Sequence, residues 1–191
     1  MNIGLYFGSF NPIHHGHLII AQHLLNETDL EQVWMVISPQ NPFKPQKQLL
    51  NEYHRLHLVH LAIGDNSRIK ASDIEFGLPK PSYTIDTITY LKEKYPQHNF
   101  SIIMGSDGLQ NLDKWKNASK LMQENPFYVY RRPGFEIIQQ PVNKLMIVEA
   151  PLLEISATHI RELIRQQKSI RYLVPDAVID ELKRNNYYKN E

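Results

Sequence analysis

Apolar residues come in short runs that stop at turn-forming residues, and these runs alternate with stretches of helical spacing. Ile3-Gly4-Leu5-Tyr6-Phe7 is apolar on both faces and ends at Gly8-Ser9, the pattern of a central parallel strand covered on both sides. Leu18, Ile19, Ala21, Gln22, Leu24 and Leu25 then follow with helical spacing. A second apolar strand over 33–37 stops at Ser38-Pro39, and 40–48, with Pro42 and Pro45, reads as a loop. The spacing predicts a helix over 52–63 and another over 83–95, after the break at Pro79, Pro81 and Ser82. A strand over 100–104 ends at Gly105-Ser106-Asp107, a short helical region surrounds Trp115, and a strand over 127–130 ends at Arg131-Arg132-Pro133-Gly134. A last strand is expected over 145–148, and helices near 157–167 and 175–185 close the chain.

Strands that alternate with helices predict an α/β fold: a doubly wound, mostly parallel sheet with helices on both faces. Such sheets bind ligands outside the carboxyl ends of their strands, so Gly8, Ser38, Gly105 and Arg131 should gather along one edge. No repeat, low-complexity tract or long linker interrupts the pattern. One domain over 1–191 is expected, with 152–191 as a helical C-terminal part.

Charge and composition remove several classes. A formal net charge of +1 over 191 residues offers no global field for nucleic acid. The chain has no cysteine, which removes disulfides, thiolate metal sites and cysteine nucleophiles. No apolar run approaches the roughly 20 residues that span a bilayer, and the first residues run into a strand rather than a leader pattern. A cytoplasmic protein without a membrane partner is expected; a homo-oligomer stays open.

The candidate chemistry begins at the first strand end. In Gly8-Ser9-Phe10-Asn11-Pro12-Ile13-His14-His15-Gly16-His17 a glycine lets the chain turn and approach a ligand, and a helix start offers unpaired N–H groups to an anion. His14 and His17 share a helix face and can both donate to phosphate, with Gly16 leaving that face open. Equally, one histidine could cap the helix while the other packs. No carboxylate stands nearby in sequence to complete a metal site. The helix expected near Ser156 is similar: Ser156 is a natural N-cap, and Arg161 stands in the first turns, where the helix dipole disfavours a cation. Glu52, Asp86 and Asp176 place acids at other helix starts, whereas these two carry His or Arg, as an anion held between them would require. Alternatively, Arg161 pairs with Glu154 or Glu162. His54, His57 and His60 read as a solvated helix face.

Gly-Ser-Phe-Asn-Pro-Ile-His-x-Gly-His resembles the HxGH signature of the nucleotidylyltransferase superfamily, and Ile155-Ser156-Ala157-Thr158-His159-Ile160-Arg161 resembles its second signature, ISSTxIR, with Ala157 in place of a serine. Pro81-Ser82-Tyr83-Thr84-Ile85-Asp86-Thr87, Gly105-Ser106-Asp107, Trp115 and Arg132-Pro133-Gly134 are similar, in order, to bacterial nicotinate-nucleotide adenylyltransferases. The resemblance implies transfer of the adenylyl group of ATP to nicotinate mononucleotide, with Mg²⁺ carried mainly on the ATP phosphates. It implies that His14, His17, Lys44 and Arg161 serve catalysis. Gly8, Ser9, Phe10, Gly16, Gly105, Asp107, Ile155, Ser156 and Thr158 would bind ATP. Tyr83, Thr84, Trp115 and Arg132 would meet the mononucleotide. Other readings are an enzyme with the same signatures acting on the amide mononucleotide or phosphopantetheine, a cytidylyltransferase, and a non-catalytic nucleotide-binding module. Residue by residue, Trp115 could be core, Asp107 a turn residue, and Lys44 and Arg132 solvated charges.

Overall fold

The computed structural model describes residues 1–40, 49–137, 141–151 and 154–189. Its strands are β1 (Asn2–Gly8), β2 (Gln32–Ile37), β3 (Ile69–Ser72), β4 (Asn99–Gly105), β5 (Pro126–Tyr130) and β6 (Lys144–Val148). They form one sheet in the order β3-β2-β1-β4-β5-β6. Every strand pairing is parallel, so the expectation of a mostly parallel sheet understated the regularity.

The unpredicted strand is β3. Only Ile69 of its four residues is fully buried, and it pairs on one side alone, with β2. Such an edge strand is held by backbone hydrogen bonds, which leave little trace in the apolar pattern.

Helices α1 (His15–Glu27), α2 (Glu52–Ile63), α6 (Ala157–Arg165) and α7 (Asp176–Arg184) cover one face of the sheet, with Leu24, Leu58, Ile160 and Val178 in its core. Helix α3 (Thr84–Lys94), the short α4 (Ser106–Leu109) and α5 (Ala118–Glu124) cover the other, through Ile88, Leu109 and Leu121. The strand β1 feeds both cores: Ile3 and Leu5 point to one, Tyr6 to the other. Trp115 is not itself helical; it ends a 3₁₀ turn, Leu112–Lys114, before α5 begins.

From β1 the chain winds outward through β2 to β3, then crosses back to lay β4 against the other side of β1. The reversal leaves a crevice at the carboxyl ends of β1 and β4, the usual ligand position in open α/β sheets. The C-terminal segment reaches the same crevice: Leu173 O accepts from His15 N at 2.9 Å, and Tyr188 Oη donates to Asn11 Oδ1 at 2.6 Å. Two exposed histidines of α2 face the C-terminal segment, with His54 against the Tyr187 ring just beyond α7 and His57 Nε2 3.5 Å from Glu181 of α7. Among the described residues no helix is long and apolar enough to cross a membrane.

Candidate active site

At the end of β1, Phe10 takes a left-handed conformation, φ 45°, and folds its ring back over Gly8. A Cβ at Gly8 would stand 2.7 Å from that ring, so the glycine is required by the turn itself. Phe10 is 2% exposed and meets Tyr6 and His17 edge-on, with centroids 5.9 and 5.0 Å apart. Phe10, expected among the ATP-binding residues, lines the cleft and packs edge-on against His17.

His14 is the N-cap of α1, and its backbone N–H donates to His17 Nδ1 at 3.3 Å. The two imidazoles stack with centroids 3.6 Å apart. With Nδ1 accepting, the proton of a neutral His17 sits on Nε2. His14 is 6% exposed, and its Nδ1 has no hydrogen-bond partner among the described residues. Burial, then Arg132, then His15 hold the His14 pKa down to about 4, so the ring is neutral near pH 7. His14 therefore caps the helix, as one of the alternatives had it, while both rings line the cleft. Gly16 does not simply leave a face open: a Cβ there would press on the His14 imidazole at 3.0 Å.

Ser156 caps α6 as expected, its Oγ accepting from His159 N at 3.2 Å. Arg161 pairs with neither Glu154 nor Glu162. Its Nη1 donates to the Asn11 carbonyl at 2.7 Å and its Nη2 reaches Thr158 Oγ1 at 3.4 Å. One guanidinium thus ties the start of α6 to the loop before α1. Neither helix carries an acid in its first turn. Helix α5 also lacks one, so that feature alone does not mark an anion site.

Where β4 and β5 end, Arg132 and Asp107 form an ion pair at 2.8 Å, and Arg132 N donates to Ser106 Oγ at 2.9 Å. Their side chains close over Gly105: a Cβ there would collide with Asp107 and stand 2.7 Å from Arg132 Cδ. Beneath them the hydroxyls of Tyr6 and Tyr130 meet at 3.1 Å, and burial pushes both phenols up.

At the other end, Tyr83 caps α3 and Thr84 begins it. Half-buried Trp115 packs against the second core. Beside it, Lys116 Nζ lies 4.8 Å above the Tyr83 ring and 2.7 Å from Asp86 Oδ2. Arg55 of α2 is fully buried and, among the described residues, donates only to carbonyls: Leu50 at 2.7 Å, Ser9 at 2.6 Å, Ser38 at 2.9 Å and Pro39 at 3.4 Å. It fastens the ends of β1 and β2 together.

These parts border one cleft of about 620 Å³. Gly8, Ser38, Gly105 and Arg131 do gather there, with His14, His17 and Arg161 at one end and Tyr83, Thr84 and Trp115 at the other. Ser9, Phe10, Gly16, Asp107, Arg132, Ile155, Ser156 and Thr158 also line it. Lys44 lies outside the described residues. Sequence reasoning missed Tyr6, Glu75, Lys116 and Tyr130, which line the cleft as well; the aromatic pair looked like ordinary strand core, and no motif flags the two charges. Imidazole N–H donors and two helix starts suit a polyanion at one end, and an aromatic wall suits a flat ring at the other.

The cytidylyltransferase-like family model matches residues 5–163. A protein of Cytophaga hutchinsonii named as a probable nicotinate-nucleotide adenylyltransferase is 52% identical over 192 residues, covering 100% of both chains. One of the same name from Flavobacterium psychrophilum is 50% identical, covering 99% of this chain and 100% of its own. Among solved structures, the nicotinic acid mononucleotide adenylyltransferase of Plasmodium falciparum, complexed with NaAD, superposes with a TM-score of 0.85. It is 25% identical and covers 100% of this chain and 98% of its own. The chain belongs to the cytidylyltransferase-like family, and within it to the nicotinate-nucleotide adenylyltransferases.

Proposed function

We propose that the protein transfers the adenylyl group of ATP to nicotinate mononucleotide, giving the deamido dinucleotide and pyrophosphate. One observation carries this reading beyond the family: Arg161 ties the start of α6 to the loop before α1 at the phosphate-suited end of a cleft whose other end is aromatic. A phosphate oxygen of the mononucleotide attacks the α-phosphorus. The bond from that phosphorus to the bridging oxygen breaks, and its electron pair leaves with pyrophosphate. The nucleophile is already an anion, so no general base is needed. Catalysis is then positioning and neutralisation of charge along an in-line path.

In this reading His14, His17, Thr158 and Arg161 receive the triphosphate, and Lys44 neutralises charge between the substrates. Asp107 meets the ATP ribose over Gly105. Tyr83, Thr84 and Trp115 hold the pyridine ring. No group of three His, Asp or Glu side chains is placed to hold a metal among the described residues. A coordination shell of phosphate oxygens and water suits Mg²⁺, which supplies charge neutralisation on the leaving pyrophosphate. The acid is favoured over the amide because helix-start N–H groups at Tyr83 and Thr84 can meet a carboxylate, whereas an NH₂ group would leave them unpaired. Asp86 does not oppose this, since its carboxylate is held by Lys116. The same reading makes 1–191 one cytoplasmic domain, with 152–191 supplying the second signature.

The test is pyrophosphate release from Mg²⁺-ATP against nicotinate mononucleotide, its amide and phosphopantetheine. Pyrophosphate with the highest kcat/KM for the acid is expected. Orthophosphate as the primary product would overturn adenylyl transfer, and a preference for the amide would overturn acid selectivity alone.

A further inference from the structure

Glu75 lies on the 3₁₀ turn Ile74–Gly77 after β3, is 1% exposed and borders the cleft. Among the described residues it has no cationic partner. Thr87 Oγ1 lies 2.8 Å from Glu75 Oε1 and 3.3 Å from the Tyr83 carbonyl. A hydroxyl has one proton to give. With Glu75 ionised, Thr87 spends that proton on the carboxylate and the Tyr83 carbonyl loses it. With Glu75 protonated, the hydrogen bonds run from Glu75 to Thr87 to the Tyr83 carbonyl, and each proton has an acceptor. That carbonyl also accepts from Asp86 N at 3.0 Å and Thr87 N at 3.2 Å, so it is the acceptor around which the first turn of α3 closes.

The surroundings favour the neutral carboxyl. Among the described residues three neutral hydroxyls, of Thr87, Ser38 and Ser82, lie near the buried carboxyl and no cation faces it, a costly arrangement for a full negative charge. Burial pushes the Glu75 carboxyl up, against the lowering influence of the Thr87, Ser38 and Ser82 hydroxyls.

We infer that Glu75 works in its protonated form as a positioning residue, fixing through Thr87 the Tyr83–Thr84 helix start against which the acceptor mononucleotide is held. The inference rests on the adenylyl-transfer reading above. In this role Glu75 acts through Thr87, on the acceptor end of the cleft and not on the ATP end.

Steady-state kinetics of the full chain test it, with pyrophosphate release as readout, Mg²⁺-ATP and nicotinate mononucleotide each varied, and the variants Thr87→Val, Glu75→Gln and Glu75→Ala. Thr87→Val keeps the side-chain shape and removes the relay; it should raise the acceptor KM about tenfold and leave the ATP KM within about twofold. Glu75→Gln is neutral and still donates, so its acceptor KM should stay within about threefold of wild type. Glu75→Ala should follow Thr87→Val; if it does not fold, the other two variants decide. An unchanged acceptor KM in Thr87→Val, an equal rise in both KM values, or a Glu75→Gln as impaired as Thr87→Val would overturn the inference. A wild type that does not turn over would overturn the functional reading, and this one with it.

Discussion

His14 shows how one side chain can serve both fold and site. Its ring stacks on His17 and is buried against the turn, yet its Nδ1 ends without a partner at the edge of the cleft. Its pKa falls from 6.5 to about 4 on folding, chiefly by burial. Between those values the unfolded chain binds the extra proton and the folded chain does not. The stabilisation is therefore complete above about pH 6.5 and is lost as pH falls toward 4, amounting to at most about 3 kcal/mol. Urea melts of the ligand-free protein should show this loss between pH 6.5 and 4.5, and His14→Asn should flatten it. An unchanged pH slope in the variant would mean that His14 is not the group responsible. The histidine pair was legible in the sequence because spacing of three places both on one helical face. That His14 would cap the helix and the two rings stack, with Phe10 edge-on to His17, depends on the turn that β1 makes at Phe10.

At the scale of the element, the start of α6 bears the most weight. Ser156 satisfies one of its free N–H groups, and Arg161 fastens it to Asn11 across the crevice. Removal of such a cap costs about 0.5–2 kcal/mol. Ser156→Ala should lower the denaturation midpoint accordingly and raise the KM for ATP more than that for the mononucleotide, because the displaced N–H groups belong to the proposed triphosphate site. A variant with wild-type stability would show that the cap adds nothing, and an equal rise in both KM values would separate α6 from the ATP end. Most elements were legible because a strand covered on both faces is a continuous apolar run and a packed helix repeats every three to four residues. The strand β3 was not, being a short edge strand with polar Lys70 and Ser72. Nor was the break at Trp115, which divides the expected helical region into a 3₁₀ turn before it and α5 after it.

At the scale of the whole molecule, the reversal of strand order beside β1 sets both substrates of the proposed reaction along one cleft. Trp115 stands at the proposed acceptor end, lining the cleft and packed against the second core. An aromatic face against a pyridinium contributes roughly 0.5–2 kcal/mol. Trp115→Ala should therefore raise the KM for the mononucleotide by about two- to thirtyfold and that for ATP little. Equal losses, or a collapse of the melting temperature, would assign Trp115 to the core alone.

Sequence by itself determined the alternation of strands and helices, the turn at Gly8 and the cap at Ser156, because periodicity and turn chemistry are local along the chain. Only the tertiary structure decided what holds that site in shape. Arg55 meets Ser9 and Ser38 only once β1, β2 and α2 have packed together, and Arg132 meets Asp107 only at the joined ends of β4 and β5. The hydroxyls of Tyr6 and Tyr130 meet across β4, and Glu75 is stripped of water between an edge turn and α3. Each of these depends on a partner from a distant segment and on the exclusion of solvent, and neither is written in the residues next to it.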